Sequence, residues 1–183
     1  MSIIQIDFKD LQSRGEKIRE LLNPLVRHPS APAWKLIATP PSYIIGVHDG
    51  SPVQPHYRDW RFATFINDYR GMYFELWKRL DSFKYNLETA CLSIYQTIDS
   101  HTQEEREFLS LHCDPTVSND APHAIYKRGP HLHIKTADDP IPRAHIALNR
   151  CHLDDILSSI QFLSEAIGHA IKMLKEEILE VMQ

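Results

Sequence analysis

Apolar residues recur along this chain with two periods, and the switches between them mark out its elements. Over residues 8–23, Leu11, Gly15, Ile18 and Leu22 fall three or four apart, the spacing of one helical face. Asp7 stands where a side chain can cap a first turn. Pro24 lacks an amide donor and disfavours helix at the residue before it, so the first helix is predicted to stop near Asn23. Residues 34–38 and 43–47 are short β-prone runs separated by Thr39-Pro40-Pro41-Ser42, which predicts a hairpin. Asp49-Gly50, Pro52 and Pro55 then mark a surface loop.

A second helix is predicted over residues 61–80. Phe65, Tyr69, Met72, Tyr73, Leu76, Trp77 and Leu80 form a wide apolar stripe, read as core, with a partner groove or dimer face as the alternative. Residues 83–95 place Phe83, Tyr85, Leu87 and Cys91 on one parity and are read as a strand, although Leu87, Cys91, Ile94 and Ile98 also fit a helical period. Residues 108–114 read as a further strand with Leu109, Leu111 and Cys113 on one face, closed by Asp114-Pro115.

The last stripe covers residues 153–181 and runs through Leu153, Ile156, Leu157, Ile160, Leu163, Ile167, Ala170, Ile171, Leu174 and Ile178. Asp154 and Asp155 sit in its first turn, where negative charge favours the helix dipole. A helix of that span would be roughly 43 Å long. That exceeds what one compact domain needs, so a homodimer contact or a protein partner is expected through the C-terminal helix. The pattern as a whole predicts an α+β fold: an antiparallel sheet of about four to six strands packed against helices, ending in a long amphipathic helix, in a single domain over residues 1–183.

Between the last two stripes the alternation carries chemistry. His131-Leu132-His133-Ile134-Lys135 and Arg143-Ala144-His145-Ile146-Ala147-Leu148 alternate strictly, and Asp138-Asp139-Pro140 between them is a turn. A hairpin centred on Asp139 sets His133 opposite His145 and Leu132 opposite Ile146. Leu132, Ile134, Ile146 and Leu148 then share one face, and His131, His133, Lys135, Arg143 and His145 the other. A slip by one residue would mix the sets, so burial of the apolar face selects this parity. Should residues 108–114 pair beside the hairpin, His112 joins the group.

Three chemistries fit such a face. It can be the solvated side of an antiparallel sheet. It can hold a metal on His131, His133 and His145, since catalytic zinc often takes three histidines and an open position, although Lys135 and Arg143 would repel a cation. Or it can hold an anion. Residues 123–152 carry five cations, among them Lys127, Arg128, Lys135 and Arg143, against two aspartates. Two of the histidines could act as general base and acid on a phosphodiester, with Lys135 or Arg143 meeting the developing charge. Tyr126 is the one aromatic residue there, thin material for a stacking platform.

Composition changes this picture in three ways. Net charge is −4, so no global basic footprint for nucleic acid exists and any anion site must be local. Eleven histidines make the charge steeply pH-dependent near neutrality. Three cysteines, Cys91, Cys113 and Cys151, exclude an even disulfide framework and suit a reducing, cytoplasmic setting. The N-terminus does not read as a signal peptide, and the apolar runs are too short for a membrane span. His48, Asp49 and His56 could add to a cleft; Cys151 stands near a helix start, where a thiol can be activated. Patterns for nucleotide cofactors, zinc proteases, calcium loops and serine hydrolases are absent, and no cofactor is implied.

The leading expectation is therefore a cytoplasmic binding or interaction protein, a subunit of a bacterial multi-protein system. A histidine-dependent phosphodiesterase or RNase acting through His131, His133 and His145, and a histidine-coordinated metal protein, stand as alternatives. Whether the chain is an enzyme stays open on the sequence.

Overall fold

Met72, Tyr73 and Phe74 are consecutive and all buried. A surface helix buries one stripe and exposes the rest, whereas a strand covered on both sides buries every residue. This triplet therefore belongs in the middle of a sheet. In the computed structural model, which describes residues 4–27, 33–39, 41–49, 56–99, 101–102, 104–116, 131–134, 144–147 and 159–182, it does.

The described elements run β1 (Gln5–Asp7), α1 (Leu11–Leu22), β2 (Ala33–Thr39), β3 (Ser42–His48), β4 (Phe62–Ala63), β5 (Tyr69–Arg79), β6 (Lys84–Asp99), β7 (Glu104–Cys113), β8 (His131–Ile134), β9 (Ala144–Ala147) and α2 (Ile160–Met173). A π-helical segment, Leu174–Leu179, and a 3-10 turn, Glu180–Met182, extend α2. The fold is α+β, as the pattern predicts. The sheet is antiparallel in the order β2-β3-β5-β6-β7-β8-β9, with β1 paired to β6 and β4 to β5.

The expected helix over residues 61–80 is instead β4, a turn and β5. Its aromatic stripe mimics a helical period because β5 is apolar on both faces, and aromatic residues there satisfy a pleated surface equally well. β4 and β5, together with β1, bring the sheet to nine strands among the described residues rather than four to six. Asp7 is the last residue of β1, paired with Lys84, and its side chain makes no cap bond. The last helix begins later than the stripe suggests. Ser159 is extended (φ −155°, ψ 156°) and its hydroxyl accepts from the Phe162 amide at 3.2 Å, so Ser159 is the N-cap. Leu153, Asp154, Asp155, Ile156 and Leu157 lie outside the described residues. From Ile160 to Met182 the helical segment spans roughly 34 Å.

Two faces follow from the pairing. On the helix face, Val47, Tyr73, Leu92, Leu111 and Leu132 meet Leu11, Ile18 and Leu22 of α1 and Leu163, Ile167 and Ile171 of α2 in one core cluster. The far face carries a smaller cluster, Ile44, Met72, Phe74 and Cys91, with Tyr57, Leu76 and Tyr95 packed against it. Two sheet glycines make room for aromatic rings. A Cβ on Gly46 would stand 2.5 Å from the Trp60 ring, and one on Gly71 would overlap the ring of Phe62, its cross-strand partner. No helix among the described residues is long and apolar enough to cross a membrane.

A charged knot pins both helices to the sheet. Glu75 of β5 is fully buried. Its carboxylate accepts from Arg14 Nε at 3.0 and 3.2 Å, Arg14 Nη2 at 2.5 Å, Tyr73 Oη at 2.8 Å and Trp77 Nε1 at 3.0 Å. Arg14 Nη1 donates to Ser164 Oγ of α2 at 2.6 Å. Burial alone would favour a neutral guanidine, but the facing carboxylate outweighs it and holds Arg14 protonated above its ordinary range. Burial, then Glu75, likewise pushes the Tyr73 hydroxyl well upward.

Candidate functional site

Strand alternation sends Leu111, Cys113 and Leu132 into the helix-face core and turns His112, His131 and His133 to the far face. The ladder then aligns them. His112 pairs with His131, Ser110 with His133, and Leu111 with Leu132. On the other side of β8, His133 pairs with His145 and Leu132 with Ile146, the register that the hydrophobic alternation selects.

The three described rings form a compact cluster. Their centroids lie 4.8 Å apart for His112–His133, 4.9 Å for His131–His133 and 5.8 Å for His112–His131. His131 is 1% exposed, while His112 and His133 are half-buried. A solvated sheet face does not bury an imidazole, so that expectation fails for His131. Each neutral imidazole offers one donor and one acceptor nitrogen.

A polar chain leads from the cluster across two strands. His112 Nε2 lies 3.0 Å from Ser110 Oγ and 3.5 Å from Cys91 Sγ. Cys91 Sγ lies 3.5 Å from Ser93 Oγ, which donates to Glu107 Oε1 at 2.9 Å. Ser93 and Ser110 are buried. Sequence reading misses this chain, because its members are unremarkable alone and come together only through the β6–β7 register.

Burial favours the thiol form of Cys91 over the thiolate. Burial pushes its thiol from 9.0 up to about 12, and Glu107 adds to the rise, while Ser93 and Arg58 pull down by less. Cys113 sits on the opposite face from His112 and is raised too, by burial and then Asp114. No Cys–His nucleophile arises from this pair. Between pH 9 and about 12 the unfolded chain releases thiol protons that the folded chain retains, so the unfolded state binds fewer protons and stability falls as pH rises. Urea unfolding is expected to show a steady loss of stability from pH 9 to pH 11, and a Cys91→Ala/Cys113→Ala variant should lose less over that range. An equal slope in both would refute the assignment.

Of the other expected site residues, Lys127, Arg128, Lys135, Arg143 and Cys151 lie outside the described residues. So does the side chain of His145, whose ladder position alone is described. Among the described residues no group of three His, Cys, Asp or Glu is placed to hold a metal ion. His48, Asp49 and His56 do not join the histidine cluster. His48 packs near Trp60, with centroids 5.9 Å apart, and Asp49 pairs with Arg70 at 3.0 Å. His56 is exposed and lies on the loop before β4.

On the helix face, a cavity of about 970 Å³ opens between β1, α1 and α2. Arg14 and Ser164 line it, with Lys17, Lys84, Glu165 and His169 among its other residues. Arg14 is already turned to Glu75 and Ser164, and the Ser164 hydroxyl donates to the Ile160 carbonyl at 2.7 Å. That leaves the far face with the stronger claim to chemistry. Comparison of the chain with family models, curated proteins and solved structures returned no match.

Proposed function

We propose that this protein binds RNA through the imidazole cluster on the far face of its sheet, as a cytoplasmic recognition subunit of a larger assembly. The observation that carries the reading is the gathering of His112, His131 and His133, with His145 opposite His133 in the ladder. Folding alone would be served by apolar residues there. Imidazole N–H groups are suited to a phosphodiester, which accepts hydrogen bonds and rewards positive charge. Lys135 and Arg143 flank the cluster in sequence and add charge of the right sign. The buried thiols of Cys91 and Cys113 fit a reducing compartment.

A second reading, cleavage, is favoured by the hydrogen bonds that orient His112 at Nε2. One imidazole would take the proton of a ribose 2′-hydroxyl as its oxygen bonds to phosphorus. Another would protonate the departing 5′-oxygen as the P–O5′ bond breaks, leaving a 2′,3′-cyclic phosphate and a 5′-hydroxyl. No metal takes part in that scheme.

The test is fluorescence anisotropy with a labelled 12-nucleotide single-stranded RNA, repeated with variants of the two half-buried rings, His112→Ala and His133→Ala. Each variant is expected to bind at least about tenfold more weakly, the scale of a lost charge-assisted hydrogen bond. Unchanged affinity in both would remove the site. Gel analysis of the same mixtures with EDTA present tests cleavage: cyclic-phosphate products that vanish in His133→Ala would establish it, and intact RNA throughout would leave binding alone. The earlier support for a homodimer, an overlong last helix, is weakened by its start at Ile160. A dimer would have to use what α2 and its extension leave outward, such as Phe162 and Val181.

A further inference from the structure

The far face carries a second feature, two strands from the imidazole cluster, that the loop composition does not announce. His56 is exposed, yet its ring is held in place. It stacks on Tyr57 with centroids 4.5 Å apart and planes 26° from parallel. Its Nδ1 accepts from the Arg58 amide at 3.2 Å, which fixes the ring's rotation. Tyr57 in turn stands edge-on to Phe74 at 4.8 Å. The stack is thus footed on β5 and ends outward in a flat, oriented ring.

The ladder relates this stack to the histidines. Phe74 pairs with Cys91, Cys91 with His112 and His112 with His131, in one row across β5, β6, β7 and β8. Cross-strand partners share a face. At the spacing of neighbouring strands, the foot of the stack lies about 10 Å from the His112 position. Arg58 is exposed, with its guanidinium carbon 5.9 Å from the centroid of the Tyr57 ring. An outward stacked ring, a cation beside it and imidazoles two strands away supply the groups that meet a base, a backbone and a phosphate of an extended strand.

We propose that the His56–Tyr57 stack is a base platform: an unpaired base of single-stranded RNA lies on the His56 ring while the adjoining phosphate rests on the imidazole cluster, with Arg58 over the backbone between. This rests on the RNA reading above and adds the recognition of a base to that of phosphate. Stacking of this kind tolerates any base, because every base has a π-face. The platform therefore supplies affinity for single strands without sequence choice. A duplex, whose bases are already stacked, gains nothing from it.

The experiment separates base from backbone. Two labelled probes are used, a 12-nucleotide RNA of mixed sequence and an abasic ribose-phosphate strand of the same length. The native protein is expected to bind the RNA about tenfold more tightly than the abasic strand. His56→Ala should reduce RNA binding to the abasic level and leave abasic binding unchanged. His56→Phe, which keeps the flat ring without the imidazole nitrogens, should restore the preference. Because His56 is exposed, both variants are expected to melt with the native protein, which circular dichroism checks. A preference for RNA that survives His56→Ala, while His133→Ala still weakens both probes, would overturn the platform and leave the phosphate site standing. Loss of the preference that His56→Phe fails to restore would overturn stacking as its cause. Failure of the native protein to bind either probe would overturn both.

Discussion

Arg14→Met is expected to cost about 3–5 kcal/mol of folding stability, because it strands a buried carboxylate with no cation. Glu75 is fully buried, and Arg14 supplies three of its five hydrogen-bond contacts. The remaining two, from Tyr73 and Trp77, are neutral donors that cannot offset a charge. Methionine fills much of the arginine's volume, so the loss reports the charge more than a cavity. Ser164 on α2 also loses its donor, which couples the damage to the second helix. Urea unfolding followed by circular dichroism measures the effect. A loss below about 1 kcal/mol would mean that the pair is not buried as described. Arg14→Met/Glu75→Leu should recover part of the loss, since an apolar replacement of both partners avoids the lone charge. Recovery is incomplete because the Tyr73 hydroxyl and Trp77 indole then lack their acceptor.

This knot also shows where sequence reasoning stops. Arg14 lies in a helix whose apolar stripe is plain, at the edge of that stripe between Leu11 and Ile18. Its partners are 61 and 150 positions away, and no local period points to them. Glu75 sits in the stretch that looks helical, between Phe74 and Leu76, where an acidic residue would fall on an outer face. Period alone cannot separate a helix from a strand buried on both sides. Strands with one polar face were legible, because alternation carries register. His133 opposite His145 and Leu132 opposite Ile146 followed from parity and a turn cluster alone. The place of His112 depended on a pairing between β7 and β8 that the sequence permits without requiring. The residues around it, Ser110, Cys91, Ser93 and Glu107, come from two strands whose bulges shift the register near Tyr95. Local pattern does not place such bulges.

Phe62→Ala is the second change with a large expected effect, a loss of about 3–5 kcal/mol. Phe62 is fully buried in the main core and pairs across the strands with Gly71. Its ring occupies the space a side chain at position 71 would need. The two residues therefore work as one unit, an aromatic ring over a glycine that would otherwise leave the sheet thin. Gly71→Ala alone should lose about 1–3 kcal/mol through overpacking. In the Phe62→Ala/Gly71→Ala double variant the new methyl enters the space left by the ring. Its loss is expected to be smaller than the sum of the single losses by at least about 0.5 kcal/mol. A double-mutant cycle on urea midpoints decides it, and strict additivity would show that the ring does not lie over Gly71.

The bond from Arg14 to Ser164 has a consequence for the order in which the chain can fold. It spans 150 positions, and the helices it joins cover the same face of one sheet. During synthesis, α1 and the strands emerge first, and the apolar helix face stays partly bare until α2 leaves the ribosome. At roughly 5–20 residues per second that interval lasts several seconds. Closing so many distant contacts carries loop entropy that is repaid only late, which slows folding. The same knot that makes the native state resistant thus leaves the nascent chain dependent on its last helix, and open to aggregation or chaperone capture until that helix docks.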